Sequence, residues 1–451
     1  MPKHVVIVGG VAGGATVAAQ LRRVNKDMRI TIFEKGDQIA YSNCGIPYYI
    51  GGIVPDRNSI LRDCKDFSEK YDAAIHLCTE VTSIDREKQR IGYVDLKDCT
   101  EGYEEYDHLI LSPGASARIP DISNLNEGNC FPIRSTRDMD HVHRFIEESS
   151  PKTALIAGGG FIGVEMAENL LLRGLNVQLL ERSKQVMGIL DSDMAGLLEK
   201  EMKEKGISLL FEEELAAIED GGTTFIMKSG KRVQADLLIL SMGIIPNTSL
   251  AEQAGLKIGV TNGIAANEFM QTNDPLIYVL GDAAETVDPI LHKPKQVPLA
   301  WPAHRQAYII ANHIAGVPIP YKGTYGTAIV KFYDLAAGMI GHNEKTLKHM
   351  ETPFKTEIVE AKSHAGYYPG AMPLKIKLHY DPTSREILGA QTIGKDGADK
   401  RIDVIAAAMK GKLTVDDLQE IELAYAPPFS SPKDPVNIIG YMASSRKTNK
   451  E

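Results

Sequence analysis

The chain has few cysteines, and none is arranged for a metal or a disulfide framework. Cys44, Cys64, Cys78, Cys99 and Cys130 form no C-x-x-C pair and no cysteine–histidine cluster, so no structural zinc and no other metal site is expected. There is no basic excess either. The 50 lysines and arginines face 59 aspartates and glutamates, and the net charge of −9 has the wrong sign for a nucleic-acid partner or an anionic membrane surface. No apolar run approaches the roughly 20 residues that span a bilayer, so no membrane partner is expected. Lys3-His4 followed by Val5 to Ala12 imitates a short signal peptide, but Gln20, Arg22 and Arg23 close the run without a cleavage site. The segment is better read as a strand entering a glycine turn, and the expected location is the reducing cytoplasm.

A chain of 451 residues, 43% hydrophobic, can bury a large core and has length for roughly two to four domains. A strand from His4 to Val8 leads through Gly9-Gly10-Val11-Ala12-Gly13-Gly14 into a helix from about Gly13 to Asn25. Gly9 and Gly14 fit the first and last positions of a dinucleotide turn, whereas Val11 stands at the middle glycine and is expected to crowd a pyrophosphate. The next strand, Arg29 to Phe33, ends in Glu34, where a carboxylate can accept hydrogen bonds from a ribose. A lone glycine-rich turn occurs in many parallel α/β proteins. A second copy changes the reading: strand Ala154 to Ala157, the full G-x-G-x-x-G of Gly158, Gly160 and Gly163, helix Val164 to Leu172, and a strand Val177 to Leu180 ending in Glu181. Two such units imply two dinucleotides held together, and electron transfer between them is the economical reason. Glu181 favours NADH, while Arg182 and Lys184 can meet the 2′-phosphate of NADPH, so both stay open.

Leu109 to Ala115, with Ser112 and Gly114 in its Ser-Pro-Gly turn, and Leu238 to Asn247 each look like a strand closing one nucleotide domain. A third segment, Ile277 to Ala284, ends in Gly281-Asp282 before small residues expected to be helical. Asp282 can there accept a hydrogen bond from a ribityl hydroxyl, with the helix N-terminus near a phosphate.

Cys44 lies in Tyr41-Ser42-Asn43-Cys44-Gly45-Ile46-Pro47-Tyr48-Tyr49, ten residues after the first nucleotide unit. Placed at the start of a helix, its thiolate would be stabilised by the helix dipole. Reductases that work through a protein disulfide usually carry a second cysteine five positions on, and that position is Tyr49. Its oxidised form is then a mixed disulfide with a small thiol, or a sulfenic acid. The alternative is a buried apolar cysteine, which the two nucleotide units outweigh.

The order of these features resembles the flavin and pyridine-nucleotide disulfide oxidoreductases over nearly the whole chain. The single cysteine in Asn43-Cys44-Gly45-Ile46-Pro47-Tyr48 resembles the branch that holds coenzyme A-disulfide reductases, NADH oxidases and NADH peroxidases. The fold class implied is α/β: two Rossmann-like dinucleotide-binding domains, for FAD and for NAD(P)H, plus a C-terminal α+β dimerisation domain. FAD is then expected over residues 1–114 and 248–322, NAD(P)H over 115–247, and dimerisation over 323–451, giving a homodimer with Cys44 beside the flavin. The oxidases and peroxidases carry a histidine in the first glycine turn where this chain has Ala12, which points to a thiol substrate.

The resemblance also places particular residues. Tyr367 and Tyr425 match two catalytic tyrosines carried to the partner subunit's active site; the alternative is that they pack an interface. Thr16, Gln20 and Arg23 match positions around the coenzyme A nucleotide, and Asn43 one beside the reactive sulfur. Ala40 stands where serine is frequent, with Ser42 close by. His304 matches a ligand-contacting histidine from the partner subunit, with Arg305 beside it, and Arg62 can meet a phosphate. Phe161 can shield the flavin and Glu165 orient the nicotinamide. The activity implied is reduction of coenzyme A disulfide by NAD(P)H through a Cys44 mixed disulfide with coenzyme A. The alternatives are an NADH oxidase or peroxidase, or a coenzyme A-persulfide or polysulfide reductase, using a Cys44 sulfenate or persulfide; a flavoprotein with inert Cys44 is a different class. From about Tyr321 the chain turns to alternating strands, Thr327 to Phe332, Pro373 to Tyr380 and Glu386 to Ile393, then a helix near Lys400 to Met409. The tail, Ser444 to Glu451, is polar and expected to be disordered.

Overall fold

The computed structural model describes residues 2–125 and 128–448. They fall into two compact units, the first built from Met1–Arg118, Ile133–Arg144 and Gly243–Thr324, the second from Ile119–Pro132, Phe145–Met242 and Tyr325–Glu451.

In the first unit, five parallel strands lie in the order Ile277–Val279, His108–Leu111, His4–Val8, Arg29–Glu34, Ala74–Leu77. The central strand is covered on both faces, which is why His4–Val8 reads as a continuous apolar run and not as an alternation. Each buried valine or isoleucine in it contributes roughly 1.5–3 kcal/mol. Helix Ala12–Val24 turns Val17, Ala18 and Leu21 onto this core and ends with Arg22 and Arg23 in its last turn, where positive charge complements the helix dipole.

The second unit repeats this plan. Its parallel sheet runs Ser208–Phe211, Asn176–Glu181, Thr153–Ala157, Leu237–Leu240, Cys130–Pro132, with helix Phe161–Leu172 following the central strand. A second sheet in this unit is antiparallel, in the order Ala328–Phe332, Leu335–Gly341, Ile387–Gly394, Pro373–Tyr380, Lys355–Lys362, and helix Ala398–Lys410 packs on it. The strands and helices expected from the sequence around both glycine turns, and the strands and helix after Tyr321, are found within a few residues of their expected bounds.

Two expectations fail. Gly281-Asp282 opens only a single 3₁₀ turn, Gly281–Ala283, and the chain continues as strand Ala284–Val287. The β-branched Thr286 and Val287 pair with Lys295 and Pro294, which overrides the helical preference of the alanines. The tail is not disordered where it is described: helix Pro435–Thr448 includes residues 444–448, while 449–451 lie outside the described residues. Val436, Ile439 and Ala443 bury one face of that helix, and this burial holds the polar end in register.

The second unit also contains a buried ionic network. Asp191, at the N-cap of helix Ser192–Glu204, accepts from His379 Nε2 at 2.8 Å, from Lys377 Nζ at 3.0 Å and from the Glu344 N–H at 2.8 Å. Burial alone would raise the Asp191 carboxyl, but the hydrogen bond from His379 and the bonds from Glu344 and Lys377 outweigh it and hold it down to about 2. A carboxyl lowered on folding stabilises above its ordinary range near 4, and that stabilisation is lost as the pH falls toward 2. Asp191→Asn should therefore lower unfolding stability at pH 7 by about 3 kcal/mol or more and flatten the acid limb of the stability curve, read by denaturant titration between pH 7 and 2.

Candidate active site

The two glycine turns have the same construction. Gly9 N–H donates to Phe33 O and Ser112 N–H to Val8 O, and in the second turn Gly158 N–H donates to Leu180 O and Ser241 N–H to Ala157 O, all at 2.8 Å. Gly9 and Gly158 have φ of +92° and +113°, and a Cβ on either would lie 2.1 or 2.3 Å from the carbonyl oxygen of Ser112 or Ser241. A Cβ on Gly14 would meet Gly9 O at 1.7 Å and one on Gly163 would meet Gly158 O at 1.9 Å, so only glycine lets each helix approach its strand this closely.

Val11 adopts a φ in the same range as its counterpart in the second turn. It is the N-cap of helix Ala12–Val24 with an ordinary φ of −87°, close to the −79° of Gly160 in the second turn, where a Cβ would meet nothing within 4 Å. Valine is therefore accommodated by the backbone at this position, and the helices start at Ala12 and Phe161 with their first N–H groups at the turn.

Both strand-end carboxylates brace their turns. Glu34 accepts from Gly10 N–H at 2.6 Å and Gly36 N–H at 2.7 Å, and Glu181 accepts from Gly159 N–H and Ser183 N–H, each at 2.8 Å. Burial raises the Glu34 carboxyl and the two N–H bonds oppose that rise. A carboxylate has about four lone-pair sites, so each retains capacity for ribose hydroxyls. Open helix starts, glycine-only cradles and carboxylates at the ribose position fit a dinucleotide at each turn. Glu165 lies one helical turn after Phe161, and its carbonyl accepts from Asn169 Nδ2 at 2.8 Å.

The two sequence segments that resemble domain joints pair with each other inside the first unit. Ala115–Ala117 is antiparallel to Ile244–Pro246, with Asn247 N–H donating to Gly114 O at 3.0 Å. Close to that ribbon, Arg134 donates to Ala115 O at 2.9 Å and forms an ion pair with Asp282. Asp282 thus faces a cation supplied from a segment the sequence reading did not single out.

Cys44 sits in a 3₁₀ turn, Asn43–Gly45, and the helix that follows, Ile46–Ile50, begins two residues after it and is only five residues long. The turn runs directly into that helix, so Cys44 does stand at the start of a helical segment, but so short a segment supplies little dipole. Position is set instead by tethers. Ala40, with φ of +53°, donates its N–H to Gly10 O at 3.0 Å, Ser42 N–H donates to Ile60 O at 2.9 Å, and Asn43 Nδ2 donates to Arg134 O at 3.3 Å. Cys44 is exposed, so the buried-cysteine alternative fails, and no disulfide joins any of the five cysteines. Asn43 Oδ1 is buried without a hydrogen bond, which leaves an acceptor beside the sulfur. Tyr49, at the place of a second cysteine, stacks on His143 with ring centroids 4.8 Å apart.

The remaining first-unit candidates surround this turn to different degrees. Arg62 bridges to Ile39 and is exposed on a segment alongside the Cys44 turn, where Ser42 is also exposed. Thr16, Gln20 and Arg23 follow one another at helical spacing on the less buried side of Ala12–Val24, with the Thr16 hydroxyl donating to Ala12 O at 2.6 Å. His304 and Arg305 lie on helix Ala300–Ile314, His304 exposed and Arg305 stacked over Tyr308. Sequence reading missed Tyr41, whose phenol is pushed up to about 12 by burial and then by the charge of Glu34, so it stays protonated. Its position three residues before Cys44 was the available signal.

In the second unit, Tyr367 and Tyr425 come together although they are 58 positions apart in the sequence. A hydrogen bond with Tyr367 raises the Tyr425 phenol above its ordinary value, and both rings are exposed, Tyr367 to 77%. Exposed aromatic rings paired on two loops are available to a partner molecule.

Gly14→Ala should cost the first turn any dinucleotide it holds, read for a flavin as the ratio of visible to ultraviolet absorbance after purification. The matched change Val11→Gly, which relieves nothing in the backbone, should leave that ratio near wild type.

Residues 3–307 match the family described as pyridine nucleotide-disulphide oxidoreductase, and residues 327–434 match its dimerisation domain. Coenzyme A disulfide reductases of Staphylococcus haemolyticus and Staphylococcus aureus are each 40% identical over 445 residues, covering 98% of this chain and 99% and 100% of theirs. The solved structure of reduced Bacillus anthracis CoADR-RHD has a TM-score of 0.98 at 45% identity, over 100% of this chain and 81% of that one. A NAD-dependent persulfide reductase from A. fulgidus has a TM-score of 0.96 at 32% identity, over 99% and 84%. Matched by that family's models over residues 3–307 and 327–434, this chain belongs to the pyridine nucleotide-disulphide oxidoreductase family.

Proposed function

We propose that this chain is an FAD-dependent enzyme that reduces coenzyme A disulfide to two coenzyme A thiols at the expense of NAD(P)H, with Cys44 as the sulfur that turns over. The observation that carries this reading is an exposed cysteine tethered by Ala40 to the first dinucleotide turn, in a turn where Ala12 replaces the histidine a peroxide or oxygen enzyme would use. FAD is held by residues 1–114 and 248–322, through Gly9, Gly14, Glu34, Ser112, Gly114 and Asp282. NAD(P)H is held within 115–247 by Gly158, Gly160, Gly163 and Glu181, with Phe161 and Glu165 near the nicotinamide. Bound FAD supplies the passage of two electrons from NAD(P)H to the sulfur of Cys44.

The residues of the chain account for the thiol chemistry. The Cys44 thiolate attacks one sulfur of coenzyme A disulfide, the S–S bond breaks, and one coenzyme A leaves as thiolate while Cys44 keeps the other in a mixed disulfide. Two electrons then break that mixed disulfide and release the second coenzyme A. The balance is one NAD(P)H and one proton for each disulfide reduced to two thiols. Asn43 and Ser42 flank the sulfur, Thr16, Gln20, Arg23 and Arg62 meet the nucleotide end of coenzyme A, and His304 and Arg305 approach from the partner subunit. Residues 323–451 form the homodimer and bring Tyr367 and Tyr425 of each subunit to the other's Cys44, where a phenol protonates the departing thiolate. Among the described residues no helix is long and apolar enough to cross a membrane, and a thiol enzyme with no disulfide of its own suits the cytoplasm.

Incubating the unreduced wild-type protein with oxidised coenzyme A should add one coenzyme A to its mass, and Cys44→Ser should abolish both the adduct and turnover. An adduct of equal yield on the serine variant would remove Cys44 from the reaction. The likeness to a persulfide reductase favours coenzyme A persulfide as the competing substrate. Steady-state rates with coenzyme A disulfide, coenzyme A persulfide, hydrogen peroxide and oxygen should rank the disulfide first; a higher kcat/KM for persulfide would reassign the substrate. Replacing both Tyr367 and Tyr425 by phenylalanine should lower kcat with coenzyme A disulfide by about 10²-fold, and either single change should cost less, because each phenol lies beside the other.

A further inference from the structure

The segments that carry Tyr367 and Tyr425 are loops. Tyr367 follows strand Lys355–Lys362, Tyr425 precedes helix Pro435–Thr448, and the exposed rings gain little packing that could fix them. What joins the two loops lies beneath them. Arg401, on helix Ala398–Lys410, is only 2% exposed and is the largest fully buried side chain among the described residues. Its Nη2 donates to Ser363 O at 2.8 Å, at the root of the Tyr367 loop, and to Asp434 Oδ2 at 2.9 Å, at the end of the Tyr425 loop. Nη1 donates to Gly397 O at 3.2 Å, where a Cβ on Gly397 would lie 2.0 Å from it, so the guanidinium has one seat.

Asp434 passes the restraint onward. It accepts from the Ser430 hydroxyl at 2.7 Å and the Val436 N–H at 3.1 Å, and Ser430 O accepts from Ala365 N–H at 3.1 Å, two residues before Tyr367. The two tyrosine loops are therefore tied to each other directly, by Ala365 N–H on Ser430 O, and from beneath by one guanidinium–carboxylate pair that fixes the roots of both. A hydrophobic pair of similar volume would usually hold a core as well or better, so a buried ion pair here is better explained by the geometry it imposes.

We infer that Arg401, acting with Asp434, is a positioning residue that sets the distance and orientation of the Tyr367–Tyr425 hydroxyl pair. The inference rests on the tyrosines serving the coenzyme A disulfide reaction, and its test separates the two claims. The holoenzyme is prepared with 3-fluorotyrosine, and the fluorine resonances of positions 367 and 425 are assigned from the phenylalanine variants. Arg401→Lys keeps the charge but cannot hold Ser363 and Asp434 together. It should shift or broaden those two resonances while the other tyrosines stay in place. It should lower kcat with coenzyme A disulfide about tenfold, part of the ~10²–10⁴ a positioned proton donor contributes, while KM for NAD(P)H and NAD(P)H-driven ferricyanide reduction stay at wild type. If the lysine variant does not fold, Arg401→Met combined with Asp434→Asn removes both buried charges and should give the same pattern. Unmoved resonances at 367 and 425, or a general loss of tyrosine dispersion, overturn the positioning role. Resonances that move without any loss of turnover uphold it and overturn the catalytic role of the tyrosines.

Discussion

Two contacts of backbone on backbone govern the molecule: Gly14 against the carbonyl of Gly9, and Gly163 against the carbonyl of Gly158. Each draws a helix start against the end of a buried parallel strand, closer than any side chain would allow. From that approach follow the open N–H groups at each helix start, the carboxylate one strand over that braces the turn, and the serine carbonyl on the other side. The units are alike because the same steric condition is met twice.

The position of the Cys44 sulfur depends on the first of these turns more than on its own helix. Ala40, held in the left-handed region, hands its N–H to Gly10, and the chain then reverses past Ile60 and presents Cys44 outward. A thiol fixed by backbone tethers and reached from solvent suits exchange with a small disulfide. It needs a ligand large enough to be held by contacts away from the sulfur, and coenzyme A has a nucleotide, phosphates and a long arm for that purpose.

Much of this was legible in the chain because it is local. Each glycine spacing, with its buried parallel strands and its carboxylate, Glu34 or Glu181, lies within one nucleotide unit a few dozen residues long, and the absence of a cysteine at Tyr49 is read from five positions. What could not be read comes from pairing across the sequence. Arg134 and Asp282 meet across 148 positions, and Arg401 and Asp434 join two loops that no periodicity links. The run after Asp282 looked helical because alanine favours helix, until pairing of Thr286 and Val287 with a neighbouring strand decided otherwise. The Cys44 dipole was overestimated because the sequence shows a helix-compatible stretch but not that it lasts five residues.

The central claim is that the Cys44 sulfur is itself an electron store, alternating between thiolate and mixed disulfide with coenzyme A. Anaerobic titration of the coenzyme A-loaded enzyme with NADH tests it most directly, counting hydride equivalents consumed and thiol released per subunit. The account predicts two equivalents, one for the flavin and one for the mixed disulfide, with one coenzyme A thiol set free. Uptake of a single equivalent with no thiol released would contradict it.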